Sequence, residues 1–226
     1  MPEETPVPDL VTTAAALAGE ISAAAAETER SGRLSAGVLA RLHQARLFRM
    51  LLPRSIGGLE VQPADFIEVL DVLARADAST AWLVAQGCGC SLSAAYLEPA
   101  VAREIFGSGD AVLAWGPSGT GAKAIQVDGG YRVSGQWHFG SGNRHAQWLG
   151  GHCSVVAAGA GGTAVIAAQT SGEPVERTML FPRSAARVED RWHVMGLKGT
   201  GSDSYSVEDL FVPGTHTYRR EAEAER

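Results

Sequence analysis

Near Gly107 the chain changes its hydrophobic period. From Leu10 to about Gly107, apolar residues recur at helical spacing through a stretch rich in Ala, Leu and Glu, with Gly confined to a few breaks. Beyond it, Gly becomes frequent, Val and aromatic residues rise, and alternation takes over, as in Tyr131-Arg132-Val133-Ser134-Gly135-Gln136-Trp137. Helices first and strands second indicate an α+β arrangement rather than a parallel βαβ sheet. The division expected is a helical domain over 1–109, a β-domain over 110–214 and a charged tail over 215–226.

In the helical half, a first helix is expected from about Asp9, a capping residue, to Thr28. A second opens at Ser35, carries Val38, Leu39, Leu42 and Leu47 on one stripe, and stops before Pro53. Pro53 to Leu59, with its paired Gly57-Gly58, reads as a loop. Pro63 starts a third helix with Phe66, Ile67, Val69, Leu70 and Leu73 inward and Glu68 and Asp71 toward water. Asp77 to Tyr96 is nearly uncharged and predicts a buried helix, and Pro99 to Phe106 a short last one. In the β half, Asp128-Gly129-Gly130 predicts a hairpin between Ala122–Val127 and Tyr131–Phe139. Further strands are expected at Gln147–Ala157, Thr163–Gln169 and Ser204–Val212.

Composition narrows the function. A net charge of -6 with no basic stripe argues against a nucleic-acid partner. No apolar run reaches the roughly 18 residues of a membrane span, and the acidic N-terminus lacks the basic start of a secretory signal, so a cytoplasmic location is expected. Cys88, Cys90 and Cys153 read as buried reduced thiols, since Cys88-Gly89-Cys90 is too tight for a CxxC pair. The six histidines show no ligand spacing, and no metal is expected.

Three segments carry a resemblance. The first is Leu42 to Pro53, then Gly57-Gly58, then Ala76-Asp77-Ala78-Ser79-Thr80-Ala81-Trp82. The second is Ala114-Trp115-Gly116-Pro117-Ser118-Gly119-Thr120-Gly121-Ala122, continuing to Gly135-Gln136-Trp137-His138-Phe139-Gly140-Ser141-Gly142 and Ala146-Gln147-Trp148. The third is Trp192 to Tyr205 with Val207 to Pro213. Together they resemble the acyl-CoA dehydrogenase superfamily, and in detail its branch of two-component flavin-dependent monooxygenases. The resemblance implies an N-terminal helical domain and an antiparallel, barrel-like β-domain, with the family's C-terminal helical bundle missing.

It also implies residues. Trp115, Gly116, Pro117, Phe139, Ser141 and Gly142 would contact FMN or FAD. Gly and Pro let the backbone approach the ring's polar edge, and an aromatic surface packs its face. Phe139 aligns with a ring-packing Trp of the dehydrogenases and Ser141 with a Thr on the N5 side, which makes Ser141 the catalytic candidate. Trp82 would wall the substrate pocket. Two plainer readings stand beside these: Trp82 fills a helix interface, and Ser141-Gly142 is a bare turn. Gly199-Thr200-Gly201-Ser202 lacks the spacing of a phosphate loop.

The implied activity is hydroxylation of a small aromatic substrate with O2 and reduced flavin from a separate reductase. Two alternatives remain: an acyl-CoA dehydrogenase-like FAD enzyme, and a non-catalytic scaffold needing a partner chain or homo-oligomer.

Overall fold

The computed structural model describes residues 9–117, 121–158, 164–167 and 175–219. Five α-helices come first: α1 (Leu10–Ser31), α2 (Ala36–Gln44), α3 (Pro63–Ala76), α4 (Ala78–Ser91) and α5 (Pro99–Phe106). Each begins at a legible signal. The side chains of Asp9, Ser35 and Asp77 accept from the amides of Thr12, Val38 and Thr80. Pro63 and Pro99 take first-turn positions whose N–H groups would have no helical partner.

Two helices depart from the periodic reading. α2 ends at Gln44 rather than running on toward Pro53, because Arg46 turns left-handed at φ 58 and a 3-10 turn follows at Leu47–Arg49. α4 gives way at Ser91 to a 3-10 stretch, Leu92–Tyr96. Ile67, expected on the inner face of α3, is 64% exposed; Val69 and Leu73 are the residues that bury. Arg49 is itself buried, and its guanidinium donates to four carbonyls, those of Ile56, Gly57, Phe106 and Ser108. One side chain thus ties the loop after α2 to the chain leaving α5, at the end of the helical half.

The β half contains β1 (Leu113–Trp115), β2 (Lys123–Val127), β3 (Gly130–Trp137), β4 (Trp148–Ala158), β5 (Ala164–Ile166), β6 (Glu176–Pro182), β7 (Arg187–Glu189), β8 (Ser204–Pro213) and β9 (Thr217–Tyr218). They join in one sheet along the path β7-β8-β3-β2-β4-β6-β9, with β1 and β5 paired to β4 off that path. The sheet is mixed, not purely antiparallel: β4 runs parallel to both β1 and β2. The reason is topological. After the hairpin at Asp128-Gly129, where Gly129 has φ 74, the chain reverses again beyond β3 and returns alongside β2 in β2's own direction. Of the strand expected over 163–169, Ala164–Ile166 is present, while residues 163, 168 and 169 lie outside those described, as do 220–226 of the charged tail. Strands β1, β6, β7 and β9 were not signalled by alternation.

Trp137 and Tyr205 fill the sheet's interior, fully buried and stacked with ring centroids 5.4 Å apart. Tyr205 Oη donates to the Gly150 carbonyl at 2.5 Å and accepts from the Gly116 amide at 3.0 Å, joining β8, β4 and the end of β1. Trp137 Nε1 donates to the His152 carbonyl at 3.1 Å. Glycine is required around these rings: a Cβ on Gly151 would come within 2.5 Å of Trp137, and one on Gly140 within 2.8 Å of Tyr205. Cys88, Cys90 and Cys153 are buried thiols outside any disulfide, and burial pushes the Cys88 and Cys153 thiols up to about 12. No helix among the described residues is long and apolar enough to cross a membrane.

The two halves meet at His145. Its Nε2 accepts from the Leu34 amide at 3.1 Å, so the ring proton sits on Nδ1. Burial, aided by the charges of Arg33, His43 and Arg144, drives its pKa down to about 4 from 6.5. The folded state therefore resists a proton that the unfolded chain accepts, and stability falls as pH drops from 6.5 toward 4. In urea titrations, wild type should lose about 1–2 kcal/mol more between pH 6.5 and 5 than His145→Gln, whose amide oxygen can still accept from Leu34 but does not titrate. Equal losses in the two proteins would show that His145 does not carry this pH dependence.

Candidate active site

A cavity of about 600 Å³ opens between the helical and β halves. Its walls are Trp82 and Gln86 from α4, Trp115 and Pro117 at the end of β1, Phe139 and Ser141 from the turn after β3, His152 from β4, and Trp192, Leu197, Thr200 and Ser202 from the segment before β8. None of these described lining residues is an Asp, Glu, Lys or Arg. The size is that of a small-molecule site, and the walls are largely aromatic with a few convergent hydroxyls.

Those hydroxyls form a line. Trp82 Nε1 donates to Ser141 Oγ at 3.0 Å, Ser141 Oγ lies 2.7 Å from Ser202 Oγ, and Ser202 Oγ lies 2.6 Å from Thr200 Oγ1. Thr200 Oγ1 donates to the Leu197 carbonyl at 2.8 Å. The same carbonyl accepts from Trp192 Nε1 at 2.9 Å and from the Thr200 amide at 3.1 Å. Leu197 has φ 55, a left-handed conformation that aims its oxygen at all three donors.

Two loops hold this line by bonding to each other. The Gly140 amide donates to the Asp203 carbonyl at 3.0 Å and the Gly142 amide to the Thr200 carbonyl at 3.2 Å. Asn143, wholly buried, donates from Nδ2 to the carbonyls of Gly140 and Gly201 at 2.7 and 2.8 Å. Arg144 grips Asp203 with two bonds, at 2.7 and 2.9 Å, and reaches Asp190 at 3.0 Å. The Asp203 hydrogen bond and charge raise the Arg144 pKa, so the guanidinium stays charged throughout.

Of the residues singled out in sequence, Trp82, Trp115, Pro117, Phe139 and Ser141 line the cavity. Trp82 is 44% exposed, and so does not merely fill a helix interface. Gly116 and Gly142 stand behind the wall. The Gly116 amide is taken by Tyr205, and a Cβ there would meet the His138 carbonyl at 1.9 Å; Gly142 adopts φ 84 within the turn. Ser118, Gly119 and Thr120 lie outside the described residues. Alternation would place Trp137 and Phe139 on one face, but β3 stops at Trp137, so Trp137 enters the core while Phe139, 61% exposed, looks into the cavity. His138, which alternation left without a role, lies 2.8 Å from Ser204 Oγ through Nδ1.

Sequence reasoning missed Gln86, His152, Trp192, Leu197, Thr200 and Ser202. Thr200 and Ser202 stand two apart in Gly199-Thr200-Gly201-Ser202, a stretch that sequence reasoning weighed only as part of the resemblance and against a phosphate loop.

Residues 10–107 match the family model for the acyl-CoA dehydrogenase N-terminal domain. The chain is 32% identical over 204 residues to the FADH(2)-dependent resorcinol hydroxylase oxygenase component of a Rhizobium species, covering 90% of this chain and 47% of that protein. It is 32% identical over 199 residues to a pigment production hydroxylase of Rhodococcus erythropolis, covering 88% and 49%. The solved HsaA monooxygenase of Mycobacterium tuberculosis superposes with a TM-score of 0.82 at 29% identity over 93% of this chain and 52% of its own. Residues 10–107 belong to the acyl-CoA dehydrogenase N-terminal domain family. The curated relatives this chain matches include proteins named as flavin-dependent oxygenase components, and the chain spans about half their length. XiaF from a Streptomyces species, solved with FADH2 and glycerol, has the same fold at a TM-score of 0.81, with 31% identity over 94% of this chain and 51% of that one.

Phe139 is the costly residue of the site. It holds φ 57, a region that disfavours bulky side chains by about 1–2 kcal/mol, while burying little of its ring. Its edge meets Trp192 at 6.1 Å between centroids. Phe139→Gly should therefore raise stability by up to about 1 kcal/mol in chemical denaturation, and at the same time weaken binding of any aromatic ligand in the cavity several-fold. A destabilised Phe139→Gly would show that the ring supports the fold instead.

Proposed function

We propose that this chain is the flavin-contacting portion of the oxygenase component of a two-component monooxygenase. It would act on a small aromatic substrate, using O2 and reduced FMN or FAD supplied by a separate flavin reductase. The observation that carries the proposal is the aromatic-walled cavity of about 600 Å³, lined among the described residues by no Asp, Glu, Lys or Arg and crossed by a line of hydroxyls, set in the fold of that family.

The residues fit a flavin. A flat heteroaromatic ring needs apolar faces, which Trp82, Trp115, Phe139 and Trp192 supply, and a neutral hydrogen-bonding group at its edge, which Ser141 supplies. When bound, reduced flavin provides the activation of O2 and the transfer of one oxygen atom to the substrate. The chain's own residues do the rest. Trp115, Pro117 and Phe139 seat the ring, Ser141 meets its N5 edge, and Trp82 walls the substrate side and pins Ser141 by its indole N–H. The aromatic walls exclude bulk water, which strengthens each hydrogen bond at the reacting edge. The strongly exposed faces of Phe139 and Trp82 would be covered by further polypeptide, whether a longer form of the chain, a partner chain or another copy in a homo-oligomer. A cytoplasmic location would suit the supply of reduced flavin by a diffusing reductase.

The test is size-exclusion chromatography with an absorbance scan after anaerobic addition of reduced FMN or FAD. Flavin should co-elute with the protein, and Trp115→Ala should weaken retention by roughly 2–10-fold, the worth of one aromatic contact. In the presence of a reductase, NADH and a set of phenols, mass spectrometry should find a product heavier by one oxygen. A chain that retains neither flavin loses the enzyme reading, and one that holds FAD tightly and oxidises an acyl-CoA belongs to the dehydrogenases.

A further inference from the structure

The line of hydroxyls has a fixed direction. A hydroxyl owns one proton, and a carbonyl can only accept. Thr200 spends its proton on the Leu197 carbonyl, so across the 2.6 Å contact Ser202 must donate to Thr200. Ser202 then has nothing left to give, so across the 2.7 Å contact Ser141 must donate to Ser202. Trp82 Nε1 donates into Ser141 at 3.0 Å. Protons therefore point from Trp82 through Ser141, Ser202 and Thr200 to Leu197. All three hydroxyl residues are buried, at 8%, 4% and 2% exposure, so water does not reorient them readily.

The consequence falls on Ser141. Its proton is committed to Ser202, and what it offers a ligand is a lone pair. Resting on the flavin reading above, we propose that Thr200 and Ser202 are positioning residues that make Ser141 a hydrogen-bond acceptor toward N5, and so select the reduced flavin. Reduced flavin carries a hydrogen on N5 and can donate it to Ser141. Oxidised flavin presents a lone pair there, and Ser141 could answer it only by withdrawing its proton from Ser202. That rearrangement forfeits one buried hydrogen bond, which corresponds to roughly 2–10-fold in affinity. The selection originates at the left-handed Leu197, whose carbonyl terminates the line.

The direction of the line makes Ser202→Ala informative. Removing the acceptor frees the Ser141 proton for oxidised N5, so the ratio of the oxidised to the reduced dissociation constant should fall by roughly 2–10-fold against wild type. A tenfold fall would lower the two-electron midpoint potential of the bound flavin by about 30 mV. Thr200→Val should act in the same sense, because Ser202 then turns its proton toward Ser141. Ser202→Thr keeps the hydroxyl and should keep the wild-type ratio. The measurement is anaerobic fluorescence titration of the chain with FMN and FAD in each redox state, with thermal unfolding to confirm that each variant is folded. Should Ser202→Ala and Thr200→Val weaken both redox states equally, the hydroxyls are structural and the proposal is overturned while the flavin reading stands. If wild type binds neither redox state of either flavin, the flavin reading itself falls and takes this inference with it.

Discussion

The Tyr205 hydroxyl is the point on which the β half depends. It sits on β8, donates to β4 at Gly150 and receives the amide of Gly116 just past β1, while its ring lies on Trp137 of β3. Four separate stretches of chain are thereby fixed to one buried side chain. Burial alone would not explain a phenol there, because an unsatisfied hydroxyl in that position costs on the order of 1–3 kcal/mol. Both of its hydrogen-bonding roles are filled, and desolvation holds the phenol far above its ordinary pKa, so it stays neutral and donating.

From that anchor the geometry of the cavity follows. Gly116 is pinned from behind, which leaves Trp115 and Pro117 to face forward. Gly140, too close to Tyr205 to carry a side chain, begins the turn that swings Phe139 and Ser141 to the same opening. The loop from Trp192 to Asp203 then closes against this turn through backbone bonds, Asn143 and the Arg144–Asp203 pair. Ser141 owes its orientation less to its own turn than to the loop some sixty residues later.

Helical period, caps and prolines made the five helices legible, because each start is a local event encoded within a few residues. The shortfalls came where tertiary contacts decide. α2 stops at Gln44 although Leu47 continues its stripe, since Leu47 packs from a 3-10 turn instead. Short strands such as β1 and β9 owe their existence to partners distant in sequence and carry no alternation of their own. Of the residues that resemblance singled out, Trp115, Pro117, Phe139, Ser141 and Trp82, all within recognisable words, line the cavity. It could not find His152 or the Thr200–Ser202 pair, because no local pattern announces that a hydroxyl will meet another across a fold. Nor could it tell that Ser141 donates to Ser202, since proton direction is a property of the whole line.

Arg49 has an implication of a different kind. A guanidinium bonded to four carbonyls in two separate segments makes those segments one cooperative unit for local opening. The loop at Ile56–Gly57 cannot swing out alone without also releasing Phe106 and Ser108, which lead directly into β1 and the Trp115 wall. Breathing motions of the helical half, of the kind amide exchange reports, are thus coupled to the first strand of the cavity through a buried cation that does not itself line the cavity.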